Sequence, residues 1–114
     1  MQHRIGLIGC GGIAGSWIKA VDLAEDCQIV LTYDVSRESA DNRAEETGAT
    51  PVDSLEDIWE RDEIDVVIVA TPTSSHPDLV VHSARAGKHI MCEKPMALSL
   101  DACTQMIAAC EAAE

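Results

Sequence analysis

The chain has 114 residues, 46% of them hydrophobic and 25% charged, which is typical of a single globular domain with a modest core. Its formal net charge of −12, from 20 acidic and 8 basic residues, argues against a nucleic-acid partner or an anionic membrane surface. Two explanations of the acidity stay open, a solvated surface that aids solubility and adaptation to high salt. No apolar run approaches the ~20 residues of a membrane span.

Five cysteines are spread along the chain without a CxxC pair. Each has apolar neighbours, where a free cysteine behaves as a small hydrophobic residue. This pattern indicates a reducing compartment, and we predict a cytoplasmic protein without a disulfide framework or signal peptide. The cysteines and histidines lack metal-ligand spacing, so we predict no metal site.

Residues 4–15, RIGLIGCGGIAG, predict a buried strand, a glycine-rich turn and the start of a helix. Gly9 lets the chain turn sharply, and Gly11 lets a pyrophosphate approach the backbone because it has no Cβ. Ala14 is small enough for the helix to pack on the strand, and the free N–H groups at the helix start would face phosphates. The motif alone is weak evidence, since glycines are common in turns.

Strands and helices then alternate along the chain, with loops predicted at residues 71–77 and 93–98. The predicted strands are residues 5–8, 27–33, 49–52, 65–70 and 88–92. The predicted helices are residues 12–24, 36–47, 53–59 and 78–86, and a last one after residue 99. Its predicted apolar face comprises Leu100, Cys103, Met106, Ile107 and Cys110.

Capping residues mark several helix ends. Ser36 and Ser99 are suited to cap the starts of two helices, and Gly48 is suited to end one. Asp53 followed three residues later by Glu56 resembles a capping box.

The alternation predicts an α/β fold, a Rossmann-type doubly wound parallel sheet of five strands with helices on both faces. Ligands of such sheets bind at the carboxyl ends of the strands, near the switch in strand order. Gly9, Asp34, Thr71 and Glu93 all follow strands, so we expect their loops to converge on one crevice.

Asp34 ends the second predicted strand, 20 residues after Ala14, where dinucleotide-binding folds place an acid that binds the adenosine ribose. The alternative is that Asp34 caps the turn. A carboxylate here repels a 2′-phosphate and favours NAD over NADP. Arg37 opposes that preference because it can pair with the phosphate or stack on adenine, unless it is simply an exposed helix arginine.

Lys94 lies in a predicted loop between Glu93 and Pro95. A lysine buried beside a cofactor can donate a proton to a reacting oxygen, although a loop lysine is more often plain surface. Pro95 can stiffen the loop, and the Lys94–Pro95 bond can be cis. His76 either touches the nicotinamide side of a cofactor or satisfies a loop backbone group, and His82 is expected at the surface or in packing.

Four segments, GCGGIAG, Asp34, ATPTSSH and AGKHIMCEKPMAL, together resemble the N-terminal domain of the Gfo/Idh/MocA oxidoreductases across essentially the whole chain. The AGKH…EKP block is more specific than the glycine motif. The resemblance implies a Rossmann domain that binds NAD or NADP, followed by a larger α/β substrate domain. It also implies hydride transfer to or from a carbinol of a sugar, polyol or related compound.

The resemblance also implies roles for single residues. Asp34 and Arg37 would meet the adenosine ribose, and Lys94 would lie beside Glu93 at the substrate and reacting centre. The pyrophosphate would be held by Gly9, Gly11, Gly12, Ile13 and Ala14. The nicotinamide half would be lined by Thr71, Pro72 and His76.

Two features depart from the family pattern. Trp17 stands where many members carry a histidine, which puts a contact there in doubt. The chain stops at Glu114, so we expect the sixth strand and the C-terminal substrate domain to be absent, as in a fragment or a short gene product. The fifth strand would then be an exposed apolar edge. We expect the 114 residues alone to bind cofactor weakly and to turn over little or nothing.

Two alternative functions stay open. A non-catalytic module that senses dinucleotides would fit the short length, whereas the intact EKP motif favours the enzyme. A methyltransferase binding S-adenosylmethionine shares the glycine turn and the acid, but the EKP loop argues against it. The expected partners are a nicotinamide dinucleotide and, through the missing domain, a small-molecule substrate; a homo-oligomer is left open.

Overall fold

The computed structural model describes residues 2–113 as a five-stranded, wholly parallel sheet flanked by helices, which confirms the predicted Rossmann-type fold. The strands are β1 (His3–Ile8), β2 (Cys27–Tyr33), β3 (Thr50–Pro51), β4 (Val66–Val69) and β5 (His89–Cys92). The helices are α1 (Ala14–Leu23), α2 (Arg37–Thr47), α3 (Glu56–Trp59), α4 (His76–Arg85) and α5 (Leu100–Ala113).

The strand order is β3-β2-β1-β4-β5. The chain builds outward from β1 through β2 and β3, then crosses to the other side of β1 and continues through β4 and β5. The order therefore reverses between β1 and β4, whose register pairs Ile5 with Val66 and Ile8 with Val69. In sheets of this kind the ligand crevice opens at the carboxyl ends of the strands where the order reverses.

Alternate side chains of the central strands enter two aliphatic cores, one on each face of the sheet. Leu7 and Ile68 belong to the core beneath α1 and α2, whereas Ile8, Val67 and Val69 belong to the core beneath α3 and α4. All five are essentially buried. Burial on both faces explains why β4 reads as a continuous apolar run rather than as an alternating one.

Three predicted helix ends are confirmed. The Ser36 hydroxyl accepts a hydrogen bond from the Ser39 N–H at 3.4 Å, and Gly48 ends α2 at φ +79°. The Ser99 hydroxyl accepts one from the Ala102 N–H at 3.1 Å.

The predicted capping box at Asp53 and Glu56 is wrong. Helix α3 begins at Glu56, and Leu55 occupies the capping position without a side-chain hydrogen bond. The Asp53 carboxylate pairs instead with the guanidinium of Arg37 on α2. A tertiary ion pair thus takes the acid that the local pattern assigned to a cap.

Two predicted helix starts are also corrected. Helix α1 begins at Ala14 rather than at residue 12, because the Ala14 N–H bonds the Gly11 carbonyl in a tight turn at 3.2 Å. Helix α4 begins at His76 rather than at residue 78, with Pro77 in its first turn, where a missing N–H costs nothing. His76 is therefore a helical residue rather than a loop residue.

The predicted apolar face of α5 is only partly covered. Met106 is buried against α4, whereas Leu100 is 85% exposed and Ile107 is 50% exposed. Strand β5 lies at the edge of the sheet, next to this helix. Across residues 2–113, no helix combines the length and apolarity needed to cross a membrane.

Candidate functional site

The glycine-rich turn joins β1 to α1 at the point where the strand order reverses. Gly9 has φ +96°, and a Cβ there would lie 2.6 Å from the carbonyl carbon and oxygen of Ala70. The Gly9 N–H donates to the Tyr33 carbonyl at 2.9 Å. Only glycine lets the chain leave β1 this close to the end of β4.

Three backbone donors of this turn remain unused. Within residues 2–113, the N–H groups of Gly11, Gly12 and Ile13 donate to no acceptor. A Cβ on Gly11 or Gly12 would meet no heavy atom within 4 Å. Helix α1 has neither a side-chain cap nor an acid in its first turn. Free N–H groups at the positive end of a helix, open to solvent, fit a phosphate. Ala14 is fully buried and serves the packing of α1 on the sheet.

Asp34 braces this turn from the end of β2. One carboxylate oxygen accepts the Cys10 N–H at 2.8 Å, and the other accepts the Ser36 N–H at 2.8 Å. Each oxygen has a further lone pair, so the carboxylate can also accept from a ribose hydroxyl. Both readings of Asp34, ribose acceptor and turn cap, are compatible with this geometry.

The thiol of Cys10 adds no negative charge to the turn. Burial, and secondarily the Asp34 carboxylate, raise the pKa of the Cys10 thiol to about 12. The thiol therefore stays protonated near neutral pH and donates to the Tyr33 carbonyl at 3.4 Å.

A cavity of about 700 Å³ extends from the turn across the carboxyl ends of β1, β2 and β4. Its volume lies within the range of roughly 300–1,000 Å³ that is usual for small-molecule sites. Its walls are largely apolar, with Asp34 at one side. It is lined by Ile8, Gly9, Gly11, Tyr33, Asp34, Val35, Ser39, Leu55, Ala70, Thr71, Pro72, Ser74, Ser75, Asp78 and Leu79.

Arg37 begins α2, three positions after Asp34, and is already paired. Its guanidinium bonds the Asp41 carboxylate at 2.7 Å and also pairs with Asp53. The hydrogen bonds that the guanidinium donates to Asp41 and, secondarily, to Asp53 raise the pKa of Arg37. The local balance is therefore negative, three carboxylates against one guanidinium.

The EKP loop follows β5, and its Lys94–Pro95 bond is cis, the isomer that the sequence left open. One Glu93 oxygen accepts the Trp17 indole N–H at 2.8 Å, and the other accepts the Lys94 backbone N–H at 2.9 Å. The Lys94 side chain is exposed and makes no hydrogen bond or ion pair with residues 2–113.

Three of the four loops expected to converge line the same cavity. Glu93 and Lys94 instead border a second cavity of about 420 Å³ between β5 and α5. The Trp17–Glu93 hydrogen bond joins that side to α1 and hence to the glycine turn. Trp17 thus makes a contact from the position where the family pattern left one in doubt.

His76 is fully buried, and both of its ring nitrogens face carbonyl oxygens. Nδ1 lies 3.1 Å from the Pro95 oxygen and 3.2 Å from the Met96 oxygen, and Nε2 lies 2.8 Å from the Thr71 oxygen. The ring therefore sits behind the wall of the crevice and ties the loop after β4 to the EKP loop. Of the two interpretations of His76, the structure agrees with the one in which its ring bonds backbone groups of a loop.

Sequence reasoning missed two contacts that shape the site. The Trp17–Glu93 bond joins residues 76 positions apart, and the Arg43 guanidinium reaches the Gly11 carbonyl from 32 positions away. Neither contact leaves a local pattern in the sequence. Arg43 appears there only as one charged residue on a polar helix.

A parallel sheet with a glycine turn at its switch point and an acid at the end of β2 defines a dinucleotide-binding Rossmann domain. The family model described as oxidoreductase family, NAD-binding Rossmann fold, matches residues 3–114. The chain belongs to this family, the Gfo/Idh/MocA oxidoreductases.

Several relatives cover nearly the whole chain. Inositol 2-dehydrogenase of Rhizobium meliloti is 36% identical over 110 residues, which are 94% of this chain and 33% of that protein. The WlbA dehydrogenase of Bordetella pertussis, solved in complex with NADH and UDP-GlcNAcA, is 34% identical with a TM-score of 0.92, over 98% of this chain and 33% of that one. KijD10 of Actinomadura kijaniata is a 3-ketoreductase solved with NADP and TDP-benzene. It is 27% identical with a TM-score of 0.90, and the match covers 99% of this chain and 35% of that one. The chain thus spans about a third of the length of these relatives.

Proposed function

We propose that this chain is the cofactor-binding part of an oxidoreductase that transfers a hydride between a nicotinamide dinucleotide and a carbinol carbon of a sugar, polyol or related compound. The observation that supports it most directly is the set of three unused N–H groups at the glycine turn, beside the cavity that holds Asp34. A pyrophosphate fits these donors because nothing crowds Gly11 and Gly12. When bound, the nicotinamide supplies the hydride chemistry.

Each part of the site then has its own role in binding the cofactor or the substrate. The turn of residues 9–14 holds the pyrophosphate, and Asp34 accepts from the adenosine ribose. Thr71 and Pro72 border the nicotinamide half of the cavity, and His76 supports them from behind. Lys94, whose side chain has no partner within residues 2–113, holds or moves the proton of the substrate oxygen, while Glu93 fixes the loop that carries it. We place the substrate domain in a further part of the polypeptide.

Thermal denaturation of the chain with added ligands tests this function. NADH at 100 times its dissociation constant should raise the free energy of unfolding by about 2.7 kcal/mol, because it binds only the folded state. S-adenosylmethionine at the same concentration should have no effect. The Gly11→Ala variant, whose Cβ would intrude only on the ligand side, is the matched control and should lose the NADH effect. Stabilisation by S-adenosylmethionine but not by NADH or NADPH would refute the proposal.

We further propose that the cofactor is NAD rather than NADP. The 2′-phosphate of NADP would approach Asp34, and Arg37 would have to leave Asp41 and Asp53 to pair with it. The repulsion disfavours NADP, and breaking these exposed ion pairs adds a small further cost.

NADH should therefore bind at least about tenfold more tightly than NADPH, as measured by quenching of tryptophan emission or by calorimetry. The double variant Asp41→Asn with Asp53→Asn frees Arg37. It should raise the NADPH affinity severalfold and leave the NADH affinity nearly unchanged. Tighter binding of NADPH by the unmodified chain would show that Arg37 outweighs Asp34.

We also propose a cytoplasmic location, because the structure leaves all five cysteines as unpaired thiols. Alkylation of the denatured, non-reduced protein should modify five thiols per chain. A native disulfide found by this method would contradict the location.

A further inference from the structure

Arg43, in the middle of α2, reaches the glycine turn from the side of the sheet that α1 and α2 cover. Its Nη2 donates to the Gly11 carbonyl at 2.9 Å, and its Nε donates to the Cys10 carbonyl at 3.4 Å. Its Nη1 pairs with the Glu46 carboxylate at 2.8 Å. The side chain is 22% exposed, so three contacts hold its guanidinium in one orientation.

These contacts determine where the unused donors of the turn point. In a trans peptide the C=O and the N–H lie in the same plane and point in opposite directions. The Cys10 carbonyl shares a peptide with the Gly11 N–H, and the Gly11 carbonyl shares one with the Gly12 N–H. Arg43 holds both carbonyls toward α2, and the Ala14 N–H also bonds that of Gly11. The Gly11 and Gly12 N–H groups are therefore turned away from α2, where no acceptor among residues 2–113 occupies them.

The turn is also held from its other end, since Asp34 accepts the Cys10 N–H at 2.8 Å. Arg43 further packs against the first turn of α1, where a Cβ on Gly15 would lie 3.4 Å from its Nη2. The two charged side chains therefore restrain opposite ends of the same peptide segment. Glycines are the residues that lose most conformational freedom when they are ordered, so an unrestrained turn would have to be ordered by the ligand.

We propose that Arg43 is a positioning residue for the pyrophosphate-binding turn, holding its N–H groups in the donor orientation before the cofactor arrives. The role rests on the proposed dinucleotide function and concerns the pyrophosphate alone. It depends on two-point hydrogen bonding by the guanidinium rather than on its charge, because both partners are carbonyl oxygens on the far side of the turn from the donors.

Variants at this position separate the role from general stability and from charge. Arg43→Met removes both hydrogen bonds to the turn, so it should weaken NADH binding at least about tenfold and leave adenosine binding within about twofold. Arg43→Lys keeps the charge but holds one carbonyl at most, so it should remain at least about threefold weaker than the unmodified chain. Arg85→Met, at an exposed position of α4, makes the same change in charge and should change neither affinity.

A readout that does not require nicotinamide keeps this proposal distinct from the proposed function. The chain has 7 glycines, so ¹⁵N-glycine labelling gives a sparse amide spectrum. Inorganic pyrophosphate should shift the Gly11 and Gly12 signals in the unmodified chain, at about tenfold lower concentration than in Arg43→Met.

Several results would overturn the positioning role. Equal NADH affinity in Arg43→Met, full recovery in Arg43→Lys, or an equal loss of NADH and adenosine binding would each do so. The role would also be overturned if pyrophosphate did not shift the Gly11 and Gly12 amide signals of the unmodified chain. Failure of NADH to bind while pyrophosphate still shifts these signals would refute the redox function and leave the role of Arg43 intact.

Discussion

Gly9→Ala is expected to lower the free energy of unfolding by about 3 kcal/mol, the sum of a left-handed backbone cost of roughly 1–2 kcal/mol and of overpacking of roughly 1–3 kcal/mol. The new Cβ would lie 2.6 Å from the Ala70 carbonyl group and 2.8 Å from the Thr71 nitrogen, at φ +96°. Those neighbours are backbone atoms at the end of β4 and cannot rotate away. Urea denaturation followed by circular dichroism measures the change.

Gly11→Ala is the matched control, since a Cβ there meets nothing within 4 Å and the backbone needs no positive φ. We expect it to change the free energy of unfolding by less than about 1 kcal/mol while it abolishes NADH binding. The pair thus separates the glycine that the fold requires from the glycine that the ligand requires. A Gly9→Ala variant as stable as the unmodified chain would contradict the geometry of the crossing between β1 and β4.

His76→Ala is expected to lower the free energy of unfolding by about 3 kcal/mol. The ring is fully buried, and its removal leaves a cavity lined by the carbonyl oxygens of Thr71, Pro95 and Met96, which lose the imidazole that they face. His89→Ala, at an exposed position of β5, is the control and should cost less than about 1 kcal/mol. Thermal and urea denaturation measure both variants.

The same variant tests whether His76 holds the two loops together. Amide hydrogen exchange in residues 93–98 should accelerate in His76→Ala by more than the global loss of stability explains, because the loop loses its attachment to β4. His89→Ala should leave exchange in this loop unchanged. If the loop of His76→Ala exchanged only as fast as the destabilised core, His76 would be a packing residue and not a brace.

Much of the fold could be predicted from local patterns. The apolar run of β4 and the caps at Ser36 and Ser99 identify their elements because hydrophobic periodicity and capping act over a few residues. Errors fell where two local signals competed. The prolines at positions 72 and 77 predicted a loop that continues through residue 77. A proline is nevertheless accepted in the first turn of a helix, and α4 already begins at His76.

The sequence by itself thus determined the alternation of strands and helices, the glycine turn, the acid after β2 and the family, since each depends on neighbouring residues or on a specific motif. The tertiary structure alone decided the strand order, the pairing of Arg37 with Asp53, the Trp17–Glu93 bond and the contacts of Arg43 with the turn. These contacts depend on which strand lies beside β1. No local sequence pattern identifies a partner that lies tens of residues away. The strand beside β1 is selected by the free energy of packing rather than by local propensity.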